Sequence, residues 1–457
     1  MKKIEKRAIM CLLLACVLFV GVGVFSYRYF THGDEWAIYE GNRDLYSEGD
    51  LAKGALYDRN DRLLMKNSSE GMLYNDDYSV RCSLMHITGD KDNNITTGAN
   101  RAFIDEMVGY DLINGIYTLN NEGRDIKLTL DADVCAAAYD AMDGRKGTVG
   151  VYNYKTGEII CMVSCPSYDP ADPPEINEYN EDQYDGVYIN RFTSARFVPG
   201  SIFKLVTAAA AIENLDDAYS WEINCAGYVD YGHGDKVTDM NVHGTVDLKK
   251  ALEVSCNCYF GQLAEKLGPG ILKDYTSKTG LTKAVDINGI DTAKGTFDFP
   301  SEGVNLAWTG IGQYHDMINP CSMMVYMGAI ANDGTAVMPY VIEPSSLVTN
   351  YFKKIPKVGT KTKKMIESTT AVSLQEMMAN NVENNYGSYN FPDLDICAKS
   401  GTAEVGNGNE PNAWFTGFLR DENNPYAFIV LVENGGYGSE AAGSVANKVL
   451  QEAVNNQ

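Results

Sequence analysis

Hydrophobic and polar positions fall into three textures along the chain. The first is an unbroken apolar run from Ala8 to Phe25, preceded by Lys2, Lys3, Lys6 and Arg7. An apolar helix needs roughly 20 residues to cross a bilayer, and basic flanks stay on the cytoplasmic side. The pattern therefore predicts a cytoplasmic tail at 1–7, a membrane anchor at 8–27 and everything else outside the cell. A cleaved signal peptide would need a small-x-small site after the run. Ser26-Tyr27-Arg28-Tyr29 follows instead. Leu13-Leu14-Ala15-Cys16 could end a lipoprotein signal, but the apolar run continues well past Cys16.

The second texture, 28–124, is polar and rich in turns. Ala55-Leu56-Tyr57 and Leu63-Leu64-Met65 alternate like short strands around the turn Asp58-Arg59-Asn60-Asp61. A small, irregular linker domain is the expectation. The third begins near Asp125. Ile126 to Leu130 reads as a strand, and Asp131 can cap the Ala-rich helix after it. Gly147 to Asn153 and Glu158 to Ser164 form a hairpin pattern. Helical periodicity then dominates, at Phe203 to Asn214 and Leu248 to Leu267. Strands return at Ile396 to Val405, Ala413 to Leu419 and Tyr426 to Glu433, separated by turn signals, and a helix from Ser444 to Ala453 closes the chain. This order predicts an α+β domain over 125–457: an antiparallel sheet covered by helices, with an adjoining helical lobe.

Composition narrows the class. With 45% hydrophobic and 22% charged residues, the 457-residue chain has the balance of a globular protein large enough for two domains. Its formal net charge of −23 argues against nucleic acid as a partner. The chain has eleven cysteines, Cys11 and Cys16 lying in the apolar run. The others are odd in number and scattered, in a chain too large to need disulfide staples, so free thiols are expected. Cys161/Cys165 and Cys256/Cys258 lack histidines at zinc spacing, which predicts no metal site; His233 and His243 read as loop and packing residues.

Three short segments could carry chemistry. In Pro199-Gly200-Ser201-Ile202-Phe203-Lys204, a turn leads into a helix. Ser201 then sits at a helix N-terminus, and Lys204 follows one turn later on the same face. A serine needs a base to become a nucleophile, and a lysine whose pKa is lowered can supply one. Ser255-Cys256-Asn257 offers a hydroxyl for proton relay and an amide for substrate. Lys399-Ser400-Gly401-Thr402 lies in a strand, where Gly401 allows close approach and Ser400 and Thr402 can hold a carboxylate. Taken singly, these are a helix cap, a polar helix position and an exposed strand. Lys155-Thr156-Gly157, Lys278-Thr279-Gly280 and Ser388-Tyr389-Asn390 repeat two of the patterns in a hairpin turn, a helix end and an Asn-rich loop, and read as structural turns.

Together and in this order, Ser-x-x-Lys, Ser-x-Asn and Lys-Ser-Gly resemble the signature of penicillin-binding proteins and serine β-lactamases. The stretch from Asp125 to Gln457 is similar to the transpeptidase domain of class B penicillin-binding proteins. The likeness extends to Asn190-Arg191, His243-Gly244, Gly310-Ile311-Gly312-Gln313, Asn319-Pro320 and Ala413-Trp414-Phe415-Thr416-Gly417. Leu56-Tyr57-Asp58-Arg59-Asn60 resembles a motif of that family's linker domain, with Asp61 where Gly is usual. The resemblance implies a peptidoglycan D,D-transpeptidase without a cofactor. Ser201 would be the nucleophile and Lys204 its base. Ser255 and Lys399 would pass a proton to the leaving amine. Asn257 would bind a substrate amide, and Ser400, Gly401 and Thr402 would line the carboxylate site, with the Ser201 and Thr402 N–H groups forming an oxyanion hole. Its implied partners are D-Ala-D-Ala stem peptides, β-lactams as covalent inhibitors and a SEDS-type membrane glycosyltransferase.

Other readings use the same residues. A D,D-carboxypeptidase would take water as acceptor. A class A β-lactamase would add a Glu-bearing loop, which is not evident here, and a penicillin sensor would usually carry Ser-x-Val. A catalytically inactive membrane-anchored scaffold is the alternative of another class, against which the intact Ser201, Lys204, Asn257 and Lys399 weigh.

Overall fold

The computed structural model describes residues 2–37, 54–68, 71–95, 97–104, 107, 123–344, 359–406 and 408–456. The apolar run lies in one helix, α1 (Lys2–Ala37), extending past both ends of the expected span. Among the described residues it is the one helix long and apolar enough to cross a membrane, over Lys3–Thr31.

Three short strands follow, β1 (Ala55–Tyr57), β2 (Leu63–Ser68) and β3 (Gly71–Tyr74). Between β1 and β2, Asp58 Oδ1 accepts the Asn60 and Arg62 N–H groups at 2.8 Å each. The turn closes with Asp61 at φ +61°, a left-handed conformation that explains why Gly is common there and why a short polar Asp serves. The helices α2 (Tyr78–Thr88) and, further on, α3 (Ala132–Met142) follow, and Asp58 Oδ2 accepts the Ala132 N–H at 3.3 Å, tying this turn to the start of α3. The expected strand at 126–130 is shorter, β4 (Ile126–Lys127), and it pairs parallel to β1 in a sheet of order β3-β2-β1-β4. The N-terminal sheet therefore takes its last strand from beyond the boundary read near Asp125. Leu56, Leu64, Ile126 and Leu128 join one apolar core with the rest of the chain.

The main sheet is antiparallel and five-stranded. Its strands are β5 (Gly147–Asn153), β6 (Ile159–Cys165), β7 (Ile396–Ala403), β8 (Asn412–Leu419) and β9 (Tyr426–Val432), in the order β7-β8-β9-β5-β6. The hairpin β5–β6 and the last three strands, far apart in sequence, thus lie side by side. Nearly every residue in these strands is buried, as expected of a sheet covered on both faces. Alternation divides the coverage. Phe415 faces Gly443 of the C-terminal helix α10 (Gly438–Asn455), whereas Tyr152 on the opposite face meets Gly328 of α8 (Pro320–Ala331). The last helix begins six residues before the expected Ser444.

The helical lobe is built on α4 (Lys204–Asn214), α5 (Leu248–Glu253), α6 (Asn257–Lys278) and α7 (Val304–Ile311). The expected helix from Leu248 to Leu267 is instead two. The chain breaks at Val254–Cys256, where Ser255 adopts φ +56°. A continuous apolar period conceals such a break, because both halves present the same buried face.

Candidate active site

Ser201 sits on a 3₁₀ turn, Gly200–Phe203, that runs directly into α4. Three bonds fix this turn. The Gly200 N–H donates to Gly312 C=O at 2.8 Å, Trp414 Nε1–H donates to Val198 C=O at 2.9 Å, and Thr207 Oγ1 donates to Gly310 C=O at 2.7 Å. The Gly310-Ile311-Gly312 segment is thereby the backstop of the Ser201 turn.

One turn on, Lys204 is fully buried. Its Nζ donates to Ser255 C=O (2.6 Å), Ser255 Oγ (3.2 Å) and Asn257 Oδ1 (2.7 Å). Lys399, also fully buried, donates from β7 to the same Ser255 Oγ at 3.0 Å and to Ser400 C=O at 2.8 Å. Burial pushes the Lys204 amine down to about 8, against the pull of Asp239 upward. Burial, with the charge of Lys204 added, pushes Lys399 well below the usual lysine range. Ser201 Oγ makes no hydrogen bond among the described residues; Lys204 reaches Ser255 and Asn257 rather than Ser201.

The two motifs after the nucleophile thus form the walls of one cleft of about 640 Å³, whose lining includes Ser201, Ser255, Asn257, Ser400 and Thr402. Gly401 lies against the nucleophile turn: a Cβ there would stand 3.0 Å from Ile202 Cγ2 and 3.1 Å from Pro199 O. Strand alternation turns Lys399 toward Lys204 and Ser400 to the other side, where its N–H and Oγ both meet the Tyr386 hydroxyl. Asn257 spends its carbonyl on Lys204 and one amide proton on Thr238 C=O (2.9 Å), which leaves one N–H for a ligand.

Comparison with known proteins bears on this cleft. The family model described as the penicillin binding protein transpeptidase domain matches residues 147–451. The chain belongs to this transpeptidase family. It is 28% identical over 405 residues to the peptidoglycan D,D-transpeptidase PbpA of Mycobacterium tuberculosis, covering 82% of this chain and 80% of that one. The transpeptidase domain of a peptidoglycan glycosyltransferase from Eggerthella lenta superposes with a TM-score of 0.75 at 25% identity, covering 89% of this chain and 99% of that domain. Penicillin-binding protein A of M. tuberculosis, solved as its penicillin G acyl-enzyme complex, shares the fold with a TM-score of 0.73 at 23% identity, covering 89% of this chain and all of that one.

Within the transpeptidase domain, the Lys155 and Lys278 segments lie in a hairpin turn and at a helix end, and Ser388–Asn390 is an exposed turn, as the sequence suggests. The sequence offers no histidines at zinc spacing beside Cys256, but the fold brings His243 and three other ligand-type side chains together there. Cys225, Asp239, His243 and Cys256 bring their ligand atoms within 4.8 Å of one another. Cys225 and His243 lie at or beside a two-stranded pair (Ile223–Cys225 with Gly244–Val246), and Asp239 follows a hairpin strand (Asp235–Thr238). No linear spacing reveals such a set. Two thiols, an imidazole and a carboxylate are donors that suit a zinc ion. Asp239 also accepts the Asn257 and Cys258 N–H groups at 2.9 Å each, so it orients the Ser255–Asn257 segment from behind. Burial raises the Asp239 carboxyl, but those two backbone donors, the Cys256 thiol and the Lys204 charge together hold it below the usual range.

Proposed function

We propose that this chain is a membrane-anchored serine D,D-transpeptidase that crosslinks peptidoglycan stem peptides outside the cell. The observation that carries the reading is the buried pair Lys204 and Lys399 meeting at Ser255 Oγ beside Ser201. The name and 28% identity of the mycobacterial relative support it. Residues 1–7 are the cytoplasmic tail, 8–27 the anchor, 28–124 the linker and 125–457 the catalytic domain.

Ser201 Oγ attacks the carbonyl carbon of the D-Ala-D-Ala bond, and its proton passes to neutral Lys204. The oxyanion accepts the N–H groups of Ser201 and Thr402, where one lost donor typically costs roughly 100- to 1,000-fold in rate. The C–N bond breaks as Ser255, between Lys204 and Lys399, relays a proton to the leaving nitrogen, and D-Ala departs. An amine of a second stem then attacks the Ser201 ester, forming the crosslink and returning the proton to Ser201. Asn257 holds a substrate amide; Ser400, Gly401 and Thr402 shape the carboxylate site. β-Lactams acylate Ser201 by the same attack. A SEDS-type glycosyltransferase in the same membrane, supplying the glycan strands, is the partner expected from the family resemblance.

The test is covalent labelling of the full chain in detergent with a fluorescent penicillin, beside Ser201→Ala. Stable label on the parent and none on the variant is the expected result. Label that turns over within seconds would make the chain a β-lactamase. A folded parent that takes no label would favour the inactive scaffold.

A further inference from the structure

One turn ties the two walls of the cleft together. The helix α9 (Ser368–Asn381) widens into a π-turn, Val382–Tyr386, closed by the Gly387 N–H donating to Val382 C=O at 2.8 Å. Isolated π-turns concentrate at functional sites. Toward the helical lobe, Asn380 Nδ2 donates to Glu253 Oε2 (2.8 Å) and Asn385 Nδ2 to Glu253 C=O (2.6 Å), two residues before Ser255. Toward the sheet, Asn381 Nδ2 donates to Ala398 C=O (3.1 Å). The Tyr386 oxygen accepts the Ser400 N–H (2.9 Å) and the Ser400 hydroxyl (3.1 Å). The Tyr386 ring packs edge-on against Phe415 at 5.4 Å, so the phenol is held from both sides.

The sheet bonds fall on its free edge. Among the described residues β7 pairs only with β8, and along an antiparallel edge strand every second residue turns its N–H and C=O outward. Those residues are Ile396, Ala398, Ser400 and Thr402. Asn381 covers Ala398 C=O, Tyr386 covers Ser400 N–H and Lys399 Nζ covers Ser400 C=O. At Ser400 both outward groups are therefore taken, whereas at Thr402, the next outward residue, neither has a partner among the described residues. An extended peptide adds to an open edge by pairing with such groups, and the next equivalent register lies two residues, about 6.8 Å, away.

We propose that Tyr386 and Asn381 are positioning residues that set substrate register: they cover the β7 edge at Ala398 C=O and at Ser400, immediately ahead of Thr402, so a stem peptide pairs at Thr402 and brings its scissile carbonyl to Ser201. The inference rests on the transpeptidase reading. With the Tyr386 oxygen gone, the Ser400 N–H opens, and a peptide gains a second register in which its carbonyl misses Ser201. A penicillin has no extended backbone to slip and is indifferent to the change.

The test is Tyr386→Phe in the full chain, which keeps the ring on Phe415. D-Ala release from a synthetic stem pentapeptide is followed in the presence of an amine acceptor, alongside penicillin acylation. The expected split is a kcat lower by roughly five- to tenfold, the worth of one hydrogen bond, with KM lower in proportion and penicillin acylation within about twofold of the parent. An unchanged kcat, or peptide and penicillin slowed alike, overturns the proposal. Should Tyr386→Phe fail to fold, Asn381→Leu opens the same edge at Ala398 C=O and removes an Asn whose buried Oδ1 has no partner among the described residues. It must show the same split, and its absence there overturns the proposal equally. A parent chain that neither releases D-Ala nor takes penicillin defeats the transpeptidase reading itself; an active parent without the split defeats only the register.

Discussion

Lys204 and Lys399 point their amines at one hydroxyl, Ser255 Oγ, from 3.2 and 3.0 Å. Both are fully buried, so two full positive charges there would be costly, and each amine is held below the usual lysine range. A protonated Lys204 spends its three N–H groups on Ser255 C=O, Ser255 Oγ and Asn257 Oδ1 and can accept nothing. Only the neutral amine has the lone pair a base requires.

Acylation by penicillin is therefore expected to rise with pH, with a midpoint near the value of about 8 to which burial brings Lys204. Two units lower, roughly one amine in a hundred is neutral, and the rate falls in proportion. Stopped-flow acylation from pH 6 to 9.5 checks this; a flat profile would remove Lys204 as the base. Lys204→Arg keeps the charge but cannot lose it, and should slow acylation roughly 100- to 10,000-fold.

Ser255 holds φ +56°, a conformation that costs a residue with a side chain about 1 kcal/mol. Ser255→Gly relieves that strain while removing the shared hydroxyl. Its melting temperature should be no lower than that of Ser255→Ala, which loses the same hydroxyl but keeps the strain, while acylation drops at least about 100-fold in both. A glycine variant that melts earlier than the alanine one, or that acylates normally, contradicts the assignment of Ser255 as a strained relay.

Gly200, at φ +56°, leaves no room before the nucleophile: a Cβ would lie 2.7 Å from Thr402 O. Ala403 Cα and Cβ would lie 3.0 Å away, and all three atoms are fixed by the backbone and cannot rotate away. Gly200→Ala should destabilise the chain by about 1–3 kcal/mol and displace Ser201 from Thr402. Thermal unfolding with penicillin labelling measures both losses together.

Asp239 never touches Ser201, yet it accepts the N–H groups of Asn257 and Cys258. Asp239→Ala leaves these donors unpaired, a penalty of about 1–3 kcal/mol. Because the same groups carry the segment that holds Lys204, acylation should slow as stability falls. Asp239→Asn, which keeps an acceptor oxygen, should recover most of the stability. Denaturant midpoints for the pair separate the lost acceptor from the lost charge.

Much of this architecture is legible without coordinates, for reasons tied to particular residues. The hairpin around Lys155 and the strands at Ile396, Ala413 and Tyr426 are bounded by strong turn signals. Asp131 does cap its helix, accepting the Asp133 and Val134 N–H groups. The break at Ser255 escapes because apolar period continues across it. The Asn380–Tyr386 turn escapes because an Asn-rich stretch reads as surface loop; its partners Glu253 and Ser400 are far away in sequence. Cys225 and Asp239 escape for the same reason.

By itself, the sequence determined the apolar N-terminal helix, the α+β class, the main strands of the catalytic sheet, and the three motifs whose residue types suit acyl transfer. These follow from local periodicity, turn chemistry and short-range spacing, all of which are written in consecutive residues. Only the tertiary structure decided that Lys399 and Lys204 share Ser255, that the last three strands insert beside the first hairpin, that Tyr386 covers Ser400 and that four ligand-type side chains meet behind Asn257. Those relationships join residues tens to hundreds of positions apart, and they arise because burying both faces of one sheet leaves few ways to pack the helical lobe against its edge.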